Sequence, residues 1–227
     1  MPLFTLPDLF ALGFFLICWL GYAVVLEWTP HGRASLNARM DGYRDGWMQE
    51  MLRRDMRMVD AQIMASLQNG TAFFASTSLI AVGGTLTILR STDDLITIVS
   101  TLPFGEPTTR MMWEIKTIGL AVIFVYAFFK FAWSYRLYNY VAIMIGAMPA
   151  SSDRDAPSAK RHALRTGKIC ESAGRHFNRG QRAFFFALGY LGWFVSPWLL
   201  FATTTAIVVV IWSRQFVSDA SAAMTAE

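Results

Sequence analysis

The stretch GTAFFASTSLIAVGGTLTIL, residues 70–89, decides the fold because it runs for 20 residues without a charged side chain. Uncharged runs of 18 and 31 residues occur at 9–26 and 183–213. A hydrocarbon core ~30 Å thick is crossed by roughly 20 helical residues, since each residue adds ~1.5 Å. In lipid, a helix satisfies all the backbone polar groups within its own segment. These three runs therefore predict membrane-spanning helices.

A fourth span is predicted from a shorter uncharged run, residues 117–129, which lies between Lys116 and Lys130. Extension of this run to residues 113–133 gives it the length of a span. The lysine stems can then lie along the acyl chains while their ammonium groups reach the headgroups. Both lysines are therefore expected to point toward the membrane surfaces.

The sequence thus predicts an all-α fold: an integral membrane bundle of about four transmembrane helices, with helices extended into the cytoplasm. The composition agrees, because 16% of the residues are charged, against about 25% in a typical soluble domain. We expect a single transmembrane domain over residues 1–227, with spans near 7–27, 70–90, 113–133 and 188–212 and cytoplasmic segments near 28–69 and 134–183.

The basic residues predict the orientation of the chain in the membrane. Sixteen of the twenty lysines and arginines lie within residues 27–69 and 130–182. Because basic residues are retained on the cytoplasmic side of a membrane, both segments are expected there. With four spans, both termini would lie on the outer, periplasmic side of a bacterial inner membrane. This is the predicted localisation: a multi-pass protein of the cell membrane.

The sequence contains no motif that indicates a catalytic site, a cofactor site or a metal site. Cys18 and Cys170 lie in different environments, which argues against a disulfide or a metal site. The three histidines form no metal-binding motif, and no GxSxG, HExxH or Walker motif is present. We therefore expect no catalytic residues, no cofactor and no bound metal, and a non-enzymatic protein is favoured.

A basic stripe is the most regular charge pattern in the chain. Its members are spaced 4, 3, 7, 4 and 3 residues apart, which places them on one face of a helix at 100° per residue. They are Arg161, Arg165, Lys168, Arg175, Arg179 and Arg182.

Three interpretations of this stripe remain open. It is a solvated helix face, a surface for anionic lipid headgroups at roughly 1 kcal/mol per residue, or a partner for the acidic residues of the first cytoplasmic segment. Nucleic acid is not an expected partner, because one thin stripe is basic and no recognised binding motif accompanies it. The acidic residues concerned are Asp45, Glu50, Asp55 and Asp60.

The second span is rich in small and hydroxyl residues. Such residues let membrane helices approach closely and hydrogen-bond across the contact, so helix packing is the first interpretation. The alternative is the polar lining of a water-filled path. The candidates for that path are Gln62, Asn69, Ser76, Thr77 and, from the third span, Lys130.

The fourth uncharged run contains Pro197 near its middle. A simple kink is expected there. A broken helix that lines a substrate site is the alternative.

The segment WMQEMLRRDMRMVDAQIMASLQNGTAFFASTSLIAVGG, residues 47–84, resembles the family catalogued as Domain of Unknown Function 599. The third span looks similar to that family as well, and the likeness covers most of the chain. The resemblance implies a four-span membrane protein of bacteria and plants, and it implies no reaction. The residues that carry it are Trp47, Asp60, Gln62, Asn69, the run 75–78, Gly83 and Gly84, with Phe128, Tyr135 and Asn139 in the third span.

These observations favour a multi-pass membrane protein that assembles through small-residue helix faces, as an oligomeric channel-like or scaffold component. Its expected partners are the lipid bilayer, including anionic headgroups, and further copies of itself or another membrane protein. One alternative is a small transporter with its site at the broken fourth helix. Another is a membrane enzyme that acts on lipid, with a site assembled from scattered polar residues.

Overall fold

The computed structural model describes residues 4–101 and 108–224, and within these ranges the chain is built from helices without a strand. Four segments are long and apolar enough to cross a membrane: the first, fourth and sixth helices and the segment Pro197–Ala223. The predicted all-α fold with about four spanning helices is therefore confirmed. The helices are α1 (Leu6–Trp28), α2 (Pro30–Arg33), α3 (Leu36–Met51), α4 (Met58–Arg90), α5 (Thr92–Ser100), α6 (Arg110–Gly146), α7 (Pro157–Tyr190), α8 (Pro197–Phe216) and α9 (Asp219–Ala223).

α6 lies at the centre of the bundle, with α7 antiparallel to it on one side and α4 on the other. α7 approaches closely because it carries glycine where α6 carries a ring: Gly180 lies against Phe131, which is fully buried. Further along the same contact, the Ser134 hydroxyl donates to the Ala173 carbonyl oxygen at 2.8 Å. Small residues on α7 therefore let the two longest helices pack along most of their length.

α3 packs across the first half of α7 in a similar way. A Cβ atom at Gly174 would lie 2.6 Å from Cζ of Arg44, and a Cβ atom at Gly167 would collide with Asp45. The two glycines, seven residues apart, therefore provide room for charged side chains of α3 on one face of α7.

Two hydrophobic clusters fill the bundle on either side of the Gly180 contact. The first is rich in aromatic rings, and the ring centroids of Phe15 and Phe186 are 5.7 Å apart. The second joins α3, α6 and α7. Among the buried members of the first cluster are Phe15, Phe131, Phe186, Tyr190 and Trp193, and among those of the second are Met48, Met51, Tyr138, Val141 and Cys170.

The fourth uncharged run does not form the single helix expected over residues 188–212. α7 continues to Tyr190, a 3-10 turn covers Leu191–Phe194, and α8 begins at Pro197. Ser196 has extended backbone angles, which is the conformation favoured before a proline, and its hydroxyl accepts the Leu199 N–H at 3.1 Å. Pro197 therefore opens a new helix, because its ring suits the first helical position.

α8 then runs back along α7, so the break is a reversal and the expected simple kink is wrong. The Thr203 hydroxyl donates to the Gly189 carbonyl oxygen at 2.7 Å. Near the other end of the pair, the Arg214 guanidinium lies 5.5 Å from the ring centroid of Phe185. The two halves of one apolar run thus form an antiparallel helical hairpin.

This hairpin places the described ends of the chain at opposite ends of the bundle. Near the N-terminus, Asp8 contacts Trp193 at the tip of the hairpin. At the other end, Arg39 at the start of α3 donates to the Ser221 carbonyl oxygen at 3.1 Å. This arrangement differs from the one expected for both termini on one side of the membrane, because the last apolar run contributes two arms to the bundle instead of one. We call these two ends of the bundle the Trp193 end and the α3 end.

A glycine substitution tests the central contact. A methyl group at position 180 would lie 2.7–2.9 Å from three ring atoms of Phe131. The Gly180→Ala variant is therefore expected to lose about 1–3 kcal/mol of unfolding free energy through overpacking, measured by thermal or denaturant unfolding in detergent. Gly13→Ala is the matched control, since its methyl group would meet nothing within 4 Å. A Gly180→Ala protein as stable as wild type would contradict the described packing.

Candidate functional site

A carboxylate on α1 holds two arginines of α7 near the α3 end. The Glu27 carboxylate accepts from Arg179 Nε at 2.9 Å and from Arg179 Nη2 at 2.6 Å. Arg182 Nη2 donates to Oε1 of the same group at 2.6 Å. Arg179 and Arg182 reach one partner because residues three apart share a helix face. The paired contact from Arg179 is the geometry in which guanidinium groups bind carboxylates most strongly.

Lys130 of α6 adds a third positive charge beside this pair. Its ammonium lies 5.0 Å from the Tyr126 ring centroid, and in the part of the chain that the structure describes it forms no ion pair. The Tyr126 ring in turn meets Trp19 edge-on, with centroids 5.7 Å apart. We call the resulting cavity the Glu27 pocket. It measures about 260 Å³ and is lined by Trp19, Ala23, Glu27, Tyr126, Lys130, Arg179 and Arg182.

A larger cavity of about 660 Å³ lies next to the Glu27 pocket and shares its three ion-paired residues. It opens toward α2 and the start of α3. Its further polar lining consists of Thr29, Arg33, Ser35, Asn37, Asp41, Arg175 and Asn178. The two cavities together form a basic recess built from α1, α2, α3, α6 and α7.

The structure divides the basic stripe of α7 into three parts. Arg179 and Arg182 line the Glu27 pocket, as described above. Lys168 and Arg175 face α3. Arg161 and Arg165 are exposed and form no ion pair among the described residues.

The middle part of the stripe pairs with acidic residues. Lys168 Nζ lies 3.0 Å from Asp45 Oδ2 and 2.8 Å from Glu171 Oε1. Arg175 Nη1 lies 3.4 Å from Asp41 Oδ2 and 3.2 Å from Glu171 Oε2. Of the four acidic partners considered from the sequence, Asp45 contacts the stripe.

The other three acidic residues have other partners. Glu50 pairs with Arg53 at 2.9 Å, and Asp55 accepts from the Ser151 hydroxyl. The stripe therefore joins α3 to α7 through Asp41 and Asp45, and not through residues 50–60.

Asp60 is fully buried and joins α3 to the start of α4. Trp47 Nε1 donates to its Oδ1 at 2.6 Å, and Arg54 Nη1 donates to the same atom at 2.7 Å. Trp47 and Asp60 are among the residues that carry the family resemblance. A structural role at the helix junction therefore accounts for both of them.

The polar residues of α4 do not gather with Lys130. α4 turns Met64, Thr71, Ser78 and Thr85, spaced by seven, into the bundle. Gln62, Asn69 and Ser76 are exposed on another face, and the half-exposed Thr77 donates to the Phe73 carbonyl oxygen at 2.8 Å. The four predicted path residues of α4 therefore lie at exposed or half-exposed positions of that helix, whereas Lys130 lines the Glu27 pocket.

A buried ion pair at the Trp193 end was not predicted from the sequence. Lys116 is 2% exposed, and its ammonium lies 3.8 Å from Asp8 Oδ1 and donates to the Trp193 carbonyl oxygen at 2.8 Å. Trp193 Nε1 donates to Asp8 Oδ1 at 2.7 Å. The expectation that Lys116 extends toward the headgroups is therefore wrong.

The signal that could have located this pair is the motif Thr5-x-x-Asp8, which forms a capping box at the start of α1. A capping box fixes the first turn of the helix and the position of its acidic residue. It does not reveal that a lysine from α6 would meet that residue in the bundle.

The Glu27 pocket presents the kinds of side chain that bind anions. Three cations face one carboxylate, and guanidinium and ammonium groups recognise phosphate and carboxylate. Within the described residues, no group of three or more potential metal ligands occurs. Burial raises the pKa of the Cys170 thiol to about 11, so this cysteine is protonated at neutral pH and unsuited to nucleophilic attack.

His176, on α7 beside this region, gives a pH-dependent test. Burial, together with the positive charges of Lys130 and Arg179, lowers the pKa of His176 to about 4. Below pH ~6.5, where an unfolded histidine binds a proton, the folded protein leaves His176 neutral. Stability is therefore complete above that pH and is lost as pH falls from about 6.5 to about 4.

We expect the midpoint of thermal unfolding to fall between pH 7 and pH 5, and this fall to become smaller in His176→Gln. The partial exposure of the ring limits the histidine's share to a few degrees. His31→Gln, which removes a histidine at an exposed position, is the matched control. An unchanged profile in His176→Gln would disprove the assignment.

Comparison with known proteins gives a family and no activity. No curated protein matches the chain, and no solved structure matches it. One family model, described as a protein of unknown function, matches residues 10–220. This range contains the helix junction at Asp60, the Glu27 pocket and the α7–α8 hairpin. The chain therefore belongs to the DUF599 family.

Proposed function

We propose that this chain is a non-enzymatic, multi-pass membrane protein that assembles through the exposed face of α4 into an oligomeric scaffold. The observation that carries this proposal is the composition of that face, where small and polar residues lie beside the exposed large apolar side chains of Phe73 and Ile80. The face is formed by Asn69, Gly70, Ser76, Thr77, Gly83 and Gly84, which we call the α4 face.

The α4 face is open in the monomer. A Cβ atom at Gly70, Gly83 or Gly84 would meet nothing within 4 Å. In a membrane, small residues allow a second helix to approach closely, and hydroxyl and amide groups bond across the contact. A second copy of α4 offers the same groups and satisfies both faces at once.

A scaffold is favoured over a channel because two clusters of buried hydrophobic side chains occupy the interior of the described bundle. The polar residues of α4 face outward, so a conducting path would have to be built between copies. The alternatives receive less support from the geometry. The break at Pro197 is a tight hairpin, in which a Cβ atom at Gly192 would lie 2.6 Å from Thr203 Oγ1. The polar groups of Asp8 and Lys116 beside it bind each other and Trp193.

We further propose that the α3 end faces the cytoplasm of a bacterial cell and the Trp193 end faces outward. The hairpin moves Arg214 to the α3 end, so that seventeen of the twenty lysines and arginines lie there. Arg90, Arg110 and Lys116 remain at the other end, and Lys116 is buried. The positive-inside rule therefore favours an outer N-terminus and an inner C-terminus. The apolar end of α7 then enters the membrane together with α8.

This orientation is tested with C-terminal fusions to two reporters in bacterial cells. A green fluorescent protein fused after residue 227 is expected to fluoresce, because it folds in the cytoplasm. An alkaline phosphatase fused at the same position is expected to be inactive, because it requires the periplasm. An active phosphatase fusion would reverse the proposed orientation of the C-terminus.

Assembly through α4 is tested by disulfide cross-linking in native membranes. In a Cys18→Ala, Cys170→Ala background, Ser76→Cys is expected to form a covalent dimer on mild oxidation. Ser78→Cys is the matched control, two residues away and fully buried in the bundle. Equal cross-linking of both variants, or none for Ser76→Cys, would contradict assembly through this face. Ion flux into liposomes that contain the purified protein would contradict the scaffold proposal and favour a channel.

A further inference from the structure

We propose that the Glu27 pocket binds a phosphate group, presented either by the headgroup of a membrane lipid or by a soluble phosphate ester. The sequence predicted a surface for anionic headgroups that consists of all six residues of the basic stripe. The structure narrows the site to two of them, Arg179 and Arg182, and adds Lys130 from another helix. This proposal does not depend on assembly through the α4 face.

The charges of the pocket call for an anion. Both oxygens of Glu27 are already engaged by Arg179 and Arg182. The ammonium of Lys130 contacts the Tyr126 ring and forms no ion pair among the described residues. Three positive charges therefore face one negative charge. At the edge of an apolar layer such an excess is costly unless a counter-anion accompanies it. A phosphate group carries one or two negative charges and matches the excess.

The donors of the pocket are held in place before a ligand arrives. The Arg182 side chain is 11% exposed and the Arg179 side chain 31% exposed. Glu27 fixes both guanidinium groups but occupies only some of their five N–H donors each. The remaining donors can bind phosphate oxygens without a further loss of side-chain freedom. Lys130 supplies a compact third cation from the opposite wall.

The walls of the pocket fit a group that enters from the membrane surface. Trp19 and Tyr126 are amphipathic aromatic residues of the kind found at headgroup level. The adjoining cavity of about 660 Å³ adds Arg33 and Asn178, which provide donors for the polar remainder of a headgroup. Phosphate at Arg179 and Arg182 would lie where the two cavities meet.

The rest of the basic stripe does not offer such a site. Lys168 and Arg175 are paired with three carboxylates at the α3–α7 contact. Arg161 and Arg165 are exposed on a single helix without a cavity described around them. A lipid held by the stripe as a whole would depend on all these residues alike. A ligand of the Glu27 pocket depends on Lys130, which lies outside the stripe.

The test compares Lys130→Gln with Arg136→Gln. Both substitutions remove one positive charge from α6. Arg136 also lies over a tyrosine ring, that of Tyr140, but outside the pocket. The protein is purified in uncharged detergent and titrated with phosphatidylglycerol, and native mass spectrometry counts the lipids retained. Wild type and Arg136→Gln are expected to retain one lipid with equal affinity. Lys130→Gln is expected to bind it roughly tenfold more weakly.

Lys130→Arg is expected to restore binding, and circular dichroism of each variant shows that it is folded. Equal lipid affinity in wild type and Lys130→Gln would overturn the proposal. The source of the phosphate group is distinguished by adding inorganic phosphate or glycerol phosphate to lipid-free protein. A rise in unfolding temperature that requires Lys130 would assign the pocket to a soluble ester. Retention of phosphatidylglycerol against millimolar inorganic phosphate would assign it to a lipid. Absence of both effects would reject the site.

Discussion

Close antiparallel packing of α6 on α7 is the contact on which the other parts of the molecule depend. α7 can approach because its buried face is rich in Gly and Ala, so that the ring of Phe131 fits against Gly180. Both hydrophobic clusters extend from this contact, one with α1 and α8 and the other with α3. The Glu27 pocket lies at the same level. Its arginines are on α7 and its lysine on α6, so the distances between them follow from this contact.

Charged side chains near or within the apolar layer are satisfied in two different ways. At the Trp193 end, Asp8 and Lys116 are both buried and partner each other through contacts that include Trp193. At the α3 end, Glu27 is shared by two arginines, and the third cation beside them, Lys130, pairs with no carboxylate of residues 4–101 and 108–224. The first arrangement is complete within the chain. The second is open to a ligand, because a pocket and an uncompensated charge occur together.

Much of the fold follows from the sequence, because uncharged runs of 18 or more residues have few alternatives to a membrane helix. The reversal of the chain at Pro197 could not be predicted from the length of the uncharged run. A run of 31 apolar residues is compatible with one long tilted span or with two shorter arms, and the choice depends on whether α8 finds a surface on α7. Thr203 and Gly189 provide that surface, but they are 14 residues apart and show no pattern of their own.

The candidate site was predicted only in part for a related reason. Periodicity placed Arg179 and Arg182 on one face of a helix, and the uncharged run drew attention to Lys130. Neither pattern showed that α1 would bring Glu27 into contact with Arg179 and Arg182, since that contact depends on how distant helices pack. The polar residues of α4 were grouped correctly on one helix. Whether these residues face the interior or the outside of the bundle was not predicted, because small residues suit helix contacts on either side.

The unbroken length of α7 has a mechanical consequence. Its 34 residues form a rod ~51 Å long at ~1.5 Å per residue, with the α3 contacts near one end and the arginines of the Glu27 pocket further along. A helix without an internal proline transmits displacement along its axis with little bending. A shift imposed on the layer formed by α3 would therefore move Arg179 and Arg182 with it, and a ligand in the proposed phosphate site would resist that shift. α7 thus couples the proposed phosphate site to the contacts that α3 makes with α7.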